Sequence, residues 1–214
     1  MCAQFDLRLS AAELIALLGL VVDGPVPGLA GPRFPGQAVP LLRRIGPGLH
    51  ATEARWGFAR AGAPPARPGA RPPHNARAET LGARPLFRPA WEAAAGHPQL
   101  GRAAIPASGF TEWDHRAGAP VPVRFAPPAG APLLLAAVWA DGPEGPTAAV
   151  LTRPAGEAVR EVHDREPVVL APETLGDWLR GGALADALRH APSTAVWAAT
   201  AGPPPRQQVL FAPR

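Results

Sequence analysis

Lysine and tyrosine do not occur in this chain of 214 residues, and cysteine occurs once. With no lysine, all 21 cations are arginine. The isoelectric point near 11.0 reflects the missing lysine and tyrosine buffers more than a strongly basic surface, because the net charge is only +4. A single cysteine excludes an internal disulfide framework. One cysteine and six scattered histidines lack metal-ligand spacing, so neither a metal nor a cofactor is expected. No apolar run reaches the ~18 residues of a membrane span. The opening MCAQFDLRLS carries Asp6 and no apolar stretch, so neither a secretory nor a lipoprotein signal is expected. These absences predict a cytoplasmic protein in a reducing compartment, away from membranes.

Hydrophobic residues make up 47% of the chain despite 30 prolines and 23 glycines, which is a globular composition. No internal repeat is visible, and the length suits one domain spanning residues 1–214. FDLRL alternates as a half-buried strand does. In SAAELIALLGL, Ser10 and Glu13 form a capping box ahead of an apolar helical face at Leu14, Ile15, Leu17 and Leu18. DGPVPGLAGPRFPGQ reads as a loop. AVPLLRRI, ARWGFA, RAAIPA, GFTEW, VPVRF, PLLLAAVW, TAAVLTR, PVVL, TAVWAA and QQVLF read as strands, and PLFRPAWEAA, APETLGDWL and GALADALRH as short helices. Residues 60–74 form an Arg/Pro-rich flexible loop, and residues 201–214 a loosely ordered end. The pattern predicts an α+β fold: compact, strand-rich, with sheets curled in a barrel-like way and a few short helices.

The lone thiol stands at position 2. Once Met1 is removed, Cys2 carries a free α-amine and a thiol on one residue, both partly reactive near neutral pH. Such a residue condenses with an aldehyde to a Schiff base and closes it into a five-membered thiazolidine. Four further stretches hold chemically able side chains: RWGF with Trp56, NARAET with Asn75, Arg77 and Glu79, GFTEWD with Glu112, and VHDREP with His163, Asp164 and Arg165. Taken singly, each has a structural explanation. Asn75 caps a turn, Glu112 is a surface carboxylate, His163 sits in a solvated turn, and Trp56, Trp113, Trp139 and Trp178 fill the core.

Taken in order, the Met-Cys start, Trp-Gly, Asn-x-Arg-x-Glu, Gly-Phe-x-Glu-Trp and His-x-Arg-x-Pro segments resemble the SOS response-associated peptidase (SRAP) family, which shields abasic sites in DNA. The resemblance runs from residue 2 to about residue 180. It implies catalytic roles for Cys2, Asn75, Glu112 and His163. Cys2 would capture the open-chain aldehyde of an abasic site in single-stranded DNA as a thiazolidine cross-link. Glu112 would shuttle protons there and in removal of Met1, His163 would act on the sugar oxygen, and Asn75 would position terminus and substrate. It also implies DNA contacts at Arg77, Arg165 and Arg60, with Trp56 offering an apolar face to an unstacked base. The expected partner is single-stranded DNA containing abasic sites, and the expected state a monomer. The family opening Met-Cys-Gly-Arg-Phe is replaced by MCAQF. Gln4 stands where an arginine near phosphate is expected, and Ala3 replaces a glycine. The Asn-x-Ala-Pro segment is reduced to RFPGQ, and the loop after Trp-Gly is the stretch carrying Arg60, Arg67 and Arg71. Two alternatives stay open: a diverged scaffold of the same fold with weak or no cross-linking, and a thiol peptidase acting on other proteins.

Overall fold

The computed structural model describes residues 3–10, 12, 13, 16, 21, 22, 31–62, 71–116, 118–127, 132–183 and 198–201. The expected helix face at residues 14–18, the middle of the 60–74 loop, and the GALADALRH and QQVLF segments lie outside them, in whole or in large part. The capping box is present: Glu13 Oε2 accepts from the Ser10 amide and hydroxyl, both at 2.7 Å, and Ser10 Oγ accepts from the Glu13 amide at 3.2 Å.

In chain order the strands are β1 (Gln4–Leu7), β2 (Val21–Val22), β3 (Gly31–Arg33), β4 (Ala38–Ile45), β5 (Gly48–Trp56), β6 (Asn75–Arg77), β7 (Leu100–Ala107), β8 (Gly109–Asp114), β9 (Val121–Ala126), β10 (Leu133–Gly142), β11 (Gly145–Pro154), β12 (Arg165–Pro167), β13 (Val169–Leu170) and β14 (Ala198–Ala201). The helices are short: α1 (Arg88–Glu92), α2 (Glu157–Arg160) and α3 (Leu175–Leu179), with 3₁₀ turns at Ala78–Ala83 and Pro172–Thr174. Among the described residues no helix is long and apolar enough to cross a membrane.

Two sheets result. The smaller has the order β14-β9-β8-β1-β3. The larger runs β12-β11-β10-β7-β4-β5-β2, and a parallel pairing of β11 with β5, Thr147 beside Arg55 and Ala148 beside Trp56, closes five of its strands into a ring. Strands buried on both faces read as continuous apolar runs rather than alternating ones, and β10 does so: Leu133 to Ala140 are all buried. Its even-numbered residues, Leu134, Ala136, Val138 and Ala140, join the cluster that contains Leu81, Phe87 and Trp178 of the helical segments. Its odd-numbered residues, Leu133, Leu135, Ala137 and Trp139, join the cluster that contains Phe5, Phe110 and Phe125 of the smaller sheet. The ring is thus packed by helices on one side and by the second sheet on the other, an α+β arrangement as the sequence pattern predicts.

The differences from expectation are local. β3 forms inside the segment read as a loop, where it pairs with β1 through Phe5 and Arg33. β5 starts at Gly48 rather than at Ala54, because the turn after Ile45 folds it back along the whole of β4.

Candidate active site

The register of β1 against β8 sets Gln4 opposite Thr111 and Phe5 opposite Phe110. Opposed residues share a face, as do residues two apart along a strand. Glu112 therefore points to the same side as Phe110 and Phe5, into the core, and is only 2% exposed. Burial pushes its carboxyl up to about 7, and the Asp164 carboxylate acts in the same direction. Glu112 is no surface carboxylate. It holds or releases a proton near neutrality. The same register carried on by one position sets Ala3 opposite Glu112, and Ala3 lines an open cleft of about 740 Å³. Cys2, the residue before it, lies outside the described residues.

A clamp holds β1 at its other end, at Asp6 opposite Gly109. Arg124 forks onto Asp6, Nε to Oδ1 at 2.7 Å and Nη2 to Oδ2 at 3.0 Å, and Nη2 also donates to the Ser108 carbonyl at 2.8 Å. A Cβ at Gly109 would stand 2.6 Å from that Nη2 and 2.8 Å from the Phe125 carbonyl oxygen. The glycine of GFTEW makes room for the clamp.

His163 follows α2, and its amide donates to the Val159 carbonyl at 2.9 Å. Its Nδ1 accepts the Arg165 amide at 2.9 Å. Asp164 Oδ1 is 3.0 Å from the same nitrogen, a contact that attracts only a protonated ring. Burial lowers the His163 pKa, with Asp164 opposing. Because an amide proton already points at Nδ1, the neutral ring with its proton on Nε2 fits this environment better. Asp164 thus bears on both Glu112 and His163, which brings the GFTEW and HDREP segments together.

Asn75 opens β6, half-buried beside Val150 of β11. The preceding His74 lines the cleft, and its carbonyl accepts the Trp56 indole N–H at 2.8 Å. Its ring stands edge-on to Trp56, centroids 5.8 Å apart at 86°. Burial lowers the His74 pKa, and Arg71 lowers it further. Gly57 leaves β5 at φ 155°, a conformation that favours glycine, and so turns the chain away from the ring directly after Trp56.

The expected DNA contacts divide. Arg77 is exposed. Arg60 is half-buried at the start of the loop and donates from Nη1 to the Ala61 carbonyl at 3.4 Å. Arg165 is 8% exposed and turned inward: Nη1 and Nη2 fork onto Glu79 at 2.5 and 2.9 Å, and Nη2 also donates to the Thr152 carbonyl at 2.8 Å. It ties HDREP to NARAET across β11. Trp56 is fully buried, tilted on Phe5 at 4.8 Å, and lies on the floor of the cleft. Gln4 is 7% exposed, so an arginine in its place would be buried rather than presented to phosphate.

The residues that sequence reasoning passed over are on the walls. Trp113, assigned to the core, and Phe34, in the shortened RFPGQ segment, are half-exposed aromatics lining the cleft. Arg55 and His74 line it too. Their only sequence signal is adjacency, to Trp56 and Asn75 respectively. Among the described residues no group of three or more His, Cys, Asp or Glu is placed to hold a metal.

The SOS response associated peptidase (SRAP) family model matches residues 1–200, well past the last of the short motifs. The chain belongs to the SRAP family. It is 30% identical over 192 residues to the abasic site processing protein YedK of Escherichia coli (strain K12), covering 84% of this chain and 80% of YedK. Among solved structures, a Bordetella bronchiseptica protein is 26% identical with a TM-score of 0.75, over 94% of this chain and all of that one. A Bacteroides thetaiotaomicron protein shares the fold at 16% identity with a TM-score of 0.75, over 94% and 91% of the two chains. The shared fold thus extends over nearly the whole chain.

Proposed function

We propose that this SRAP protein processes abasic sites in DNA by covalent capture: after Met1 is hydrolysed off, Cys2 takes the aldehyde of an abasic site in single-stranded DNA into a thiazolidine. The observation that carries the reading is the register that sets the start of β1 against a buried carboxyl, Glu112, beside an open cleft. YedK, the relative named for abasic-site processing, supports the same substrate.

The chemistry follows from the side chains. The Cys2 amine adds to the aldehyde carbon and water leaves, giving an imine. The thiolate then adds to the imine carbon, and the nitrogen takes a proton. Glu112, its carboxyl pushed up toward neutrality by burial, accepts the amine proton in the first addition and returns it as water departs. His163, neutral with Nε2 carrying the proton, donates to the ring oxygen as the closed sugar opens to the aldehyde. Asn75, next to cleft-lining His74, orients the terminus. An abasic nucleotide is already unstacked, so presenting it costs little.

The test is a denaturing gel of purified protein with single-stranded DNA carrying one abasic site, alongside intact-protein mass spectrometry. A mature chain starting at Cys2 and a heat-stable adduct on abasic but not intact DNA are expected. Cys2→Ala abolishes the adduct, and Cys2→Ser leaves only an imine trapped by borohydride. A stable adduct of normal yield with Cys2→Ala, or in a chain that retains Met1, would overturn the thiazolidine route.

A further inference from the structure

Arg55 is the penultimate residue of β5, directly before Trp56, and stands on the cleft wall. Its Nη1 meets Glu144 Oε2 at 2.9 Å. Glu144 lies in the tight turn between β10 and β11, where Gly142 pairs with Gly145. The pairing that closes the ring puts Thr147 beside Arg55, so this turn is held at the cleft by the fold itself. Both partners are well exposed, 57% and 82% by side chain. An ion pair so exposed contributes little to stability and exchanges readily. The rest of the wall suits a single nucleic-acid strand: half-exposed Trp113 and Phe34 for stacking, and Arg71 as a second cation. A carboxylate and a phosphate offer a guanidinium the same fork of oxygens.

Resting on the proposed DNA reading, we propose that Arg55 is a phosphate contact of the cleft and that Glu144 is a stand-in anion which the DNA backbone displaces. Glu144 then keeps Arg55 extended along the wall in the free protein and competes with every phosphate that approaches it. Binding is weakened by this competition, whatever the base sequence.

The experiment is a double-mutant cycle read by fluorescence anisotropy with an intact single-stranded oligonucleotide over a salt series. Intact DNA keeps the covalent chemistry out of the measurement. Glu144→Gln tightens binding about 2- to 5-fold, the range an exposed pair spans. Arg55→Gln weakens it and lowers the log–log salt slope by about 0.7. In the Arg55→Gln background, Glu144→Gln has no effect. If Glu144→Gln acts equally in both backgrounds it merely relieves general repulsion, and this inference fails while DNA binding stands. No change on Glu144→Gln in the native background also sinks it. Wild type that binds no single strand even at low salt would overturn the DNA reading itself, and this inference with it.

Discussion

Glu112→Gln should gain stability relative to wild type as pH rises, and should slow the chemistry. In the unfolded chain this carboxyl titrates at its ordinary 4.5, and in the fold at about 7. Between those two values the native state keeps a proton that the unfolded chain has lost. Native stability therefore falls as pH rises through this window, and the loss is complete above about pH 7. At about 1.4 kcal/mol per pH unit the difference between 4.5 and 7 corresponds to roughly 3 kcal/mol. Glutamine keeps the shape and removes the charge. The stability of Glu112→Gln minus that of wild type should rise by roughly 3 kcal/mol from pH 4 to pH 8, and the thermal midpoint difference by roughly 6–12 °C for a chain of this length. Any cost of burying the amide is independent of pH and only offsets the curve. Urea or thermal unfolding of both proteins at four or five pH values measures it. A difference that stays flat across this range, or that grows toward acid, would refute the argument from burial. Adduct formation should slow by a factor on the order of 10²–10⁴ with the same substitution, the usual contribution of a positioned acid or base.

Arg165→Ala should cost stability, about 2–3 kcal/mol, because it strips the inward fork from Glu79 and the Thr152 carbonyl. Arg77→Ala, at an exposed site, should leave the melting temperature nearly unchanged and lower DNA affinity and the salt slope by about one phosphate contact. The reverse pattern in melting and binding would return Arg165 to the DNA surface. Gln4→Arg should destabilise by about 1–3 kcal/mol through burial of a charge and leave DNA affinity unimproved. Tighter, more salt-dependent binding at unchanged stability would show that position 4 turns outward.

The β4 strand, the long apolar β10 and most of β11 were legible in sequence because their side-chain pattern alone specifies them. Gly31–Arg33 was not, since Gly-Pro-Arg has no strand pattern and pairs only because β1 offers it an edge. The ring closure was not legible either, because a parallel pairing between distant strands leaves no local signature. At the site, the motif order located the right segments but not the direction of each side chain. A guanidinium in HDREP has the same letter whether it meets phosphate or Glu79. Trp56 and Trp113 exchanged roles for a similar reason: tryptophan suits a core and a cleft wall equally, and only the packing of Phe5 and the exposure of β8's end distinguish them.

The parallel neighbours of β11 have a consequence for how this protein can change. Trp56 of β5 pairs with Ala148, and Asn75 of β6 pairs with Val150, two residues further along the same strand. The two strands are one interrupted track, stitched at the break by the Gly57 amide to the Ala148 carbonyl at 2.9 Å and the Phe58 amide to the Pro73 carbonyl at 2.8 Å. Everything the chain does between those stitches begins and ends at the same spot on the framework. Lengthening such an excursion costs only about 0.6 kcal/mol for each doubling. The segment is therefore a natural exchange point, where evolution or an engineer swaps one length or charge for another beside the cleft while Glu112, His163 and the ring keep their places.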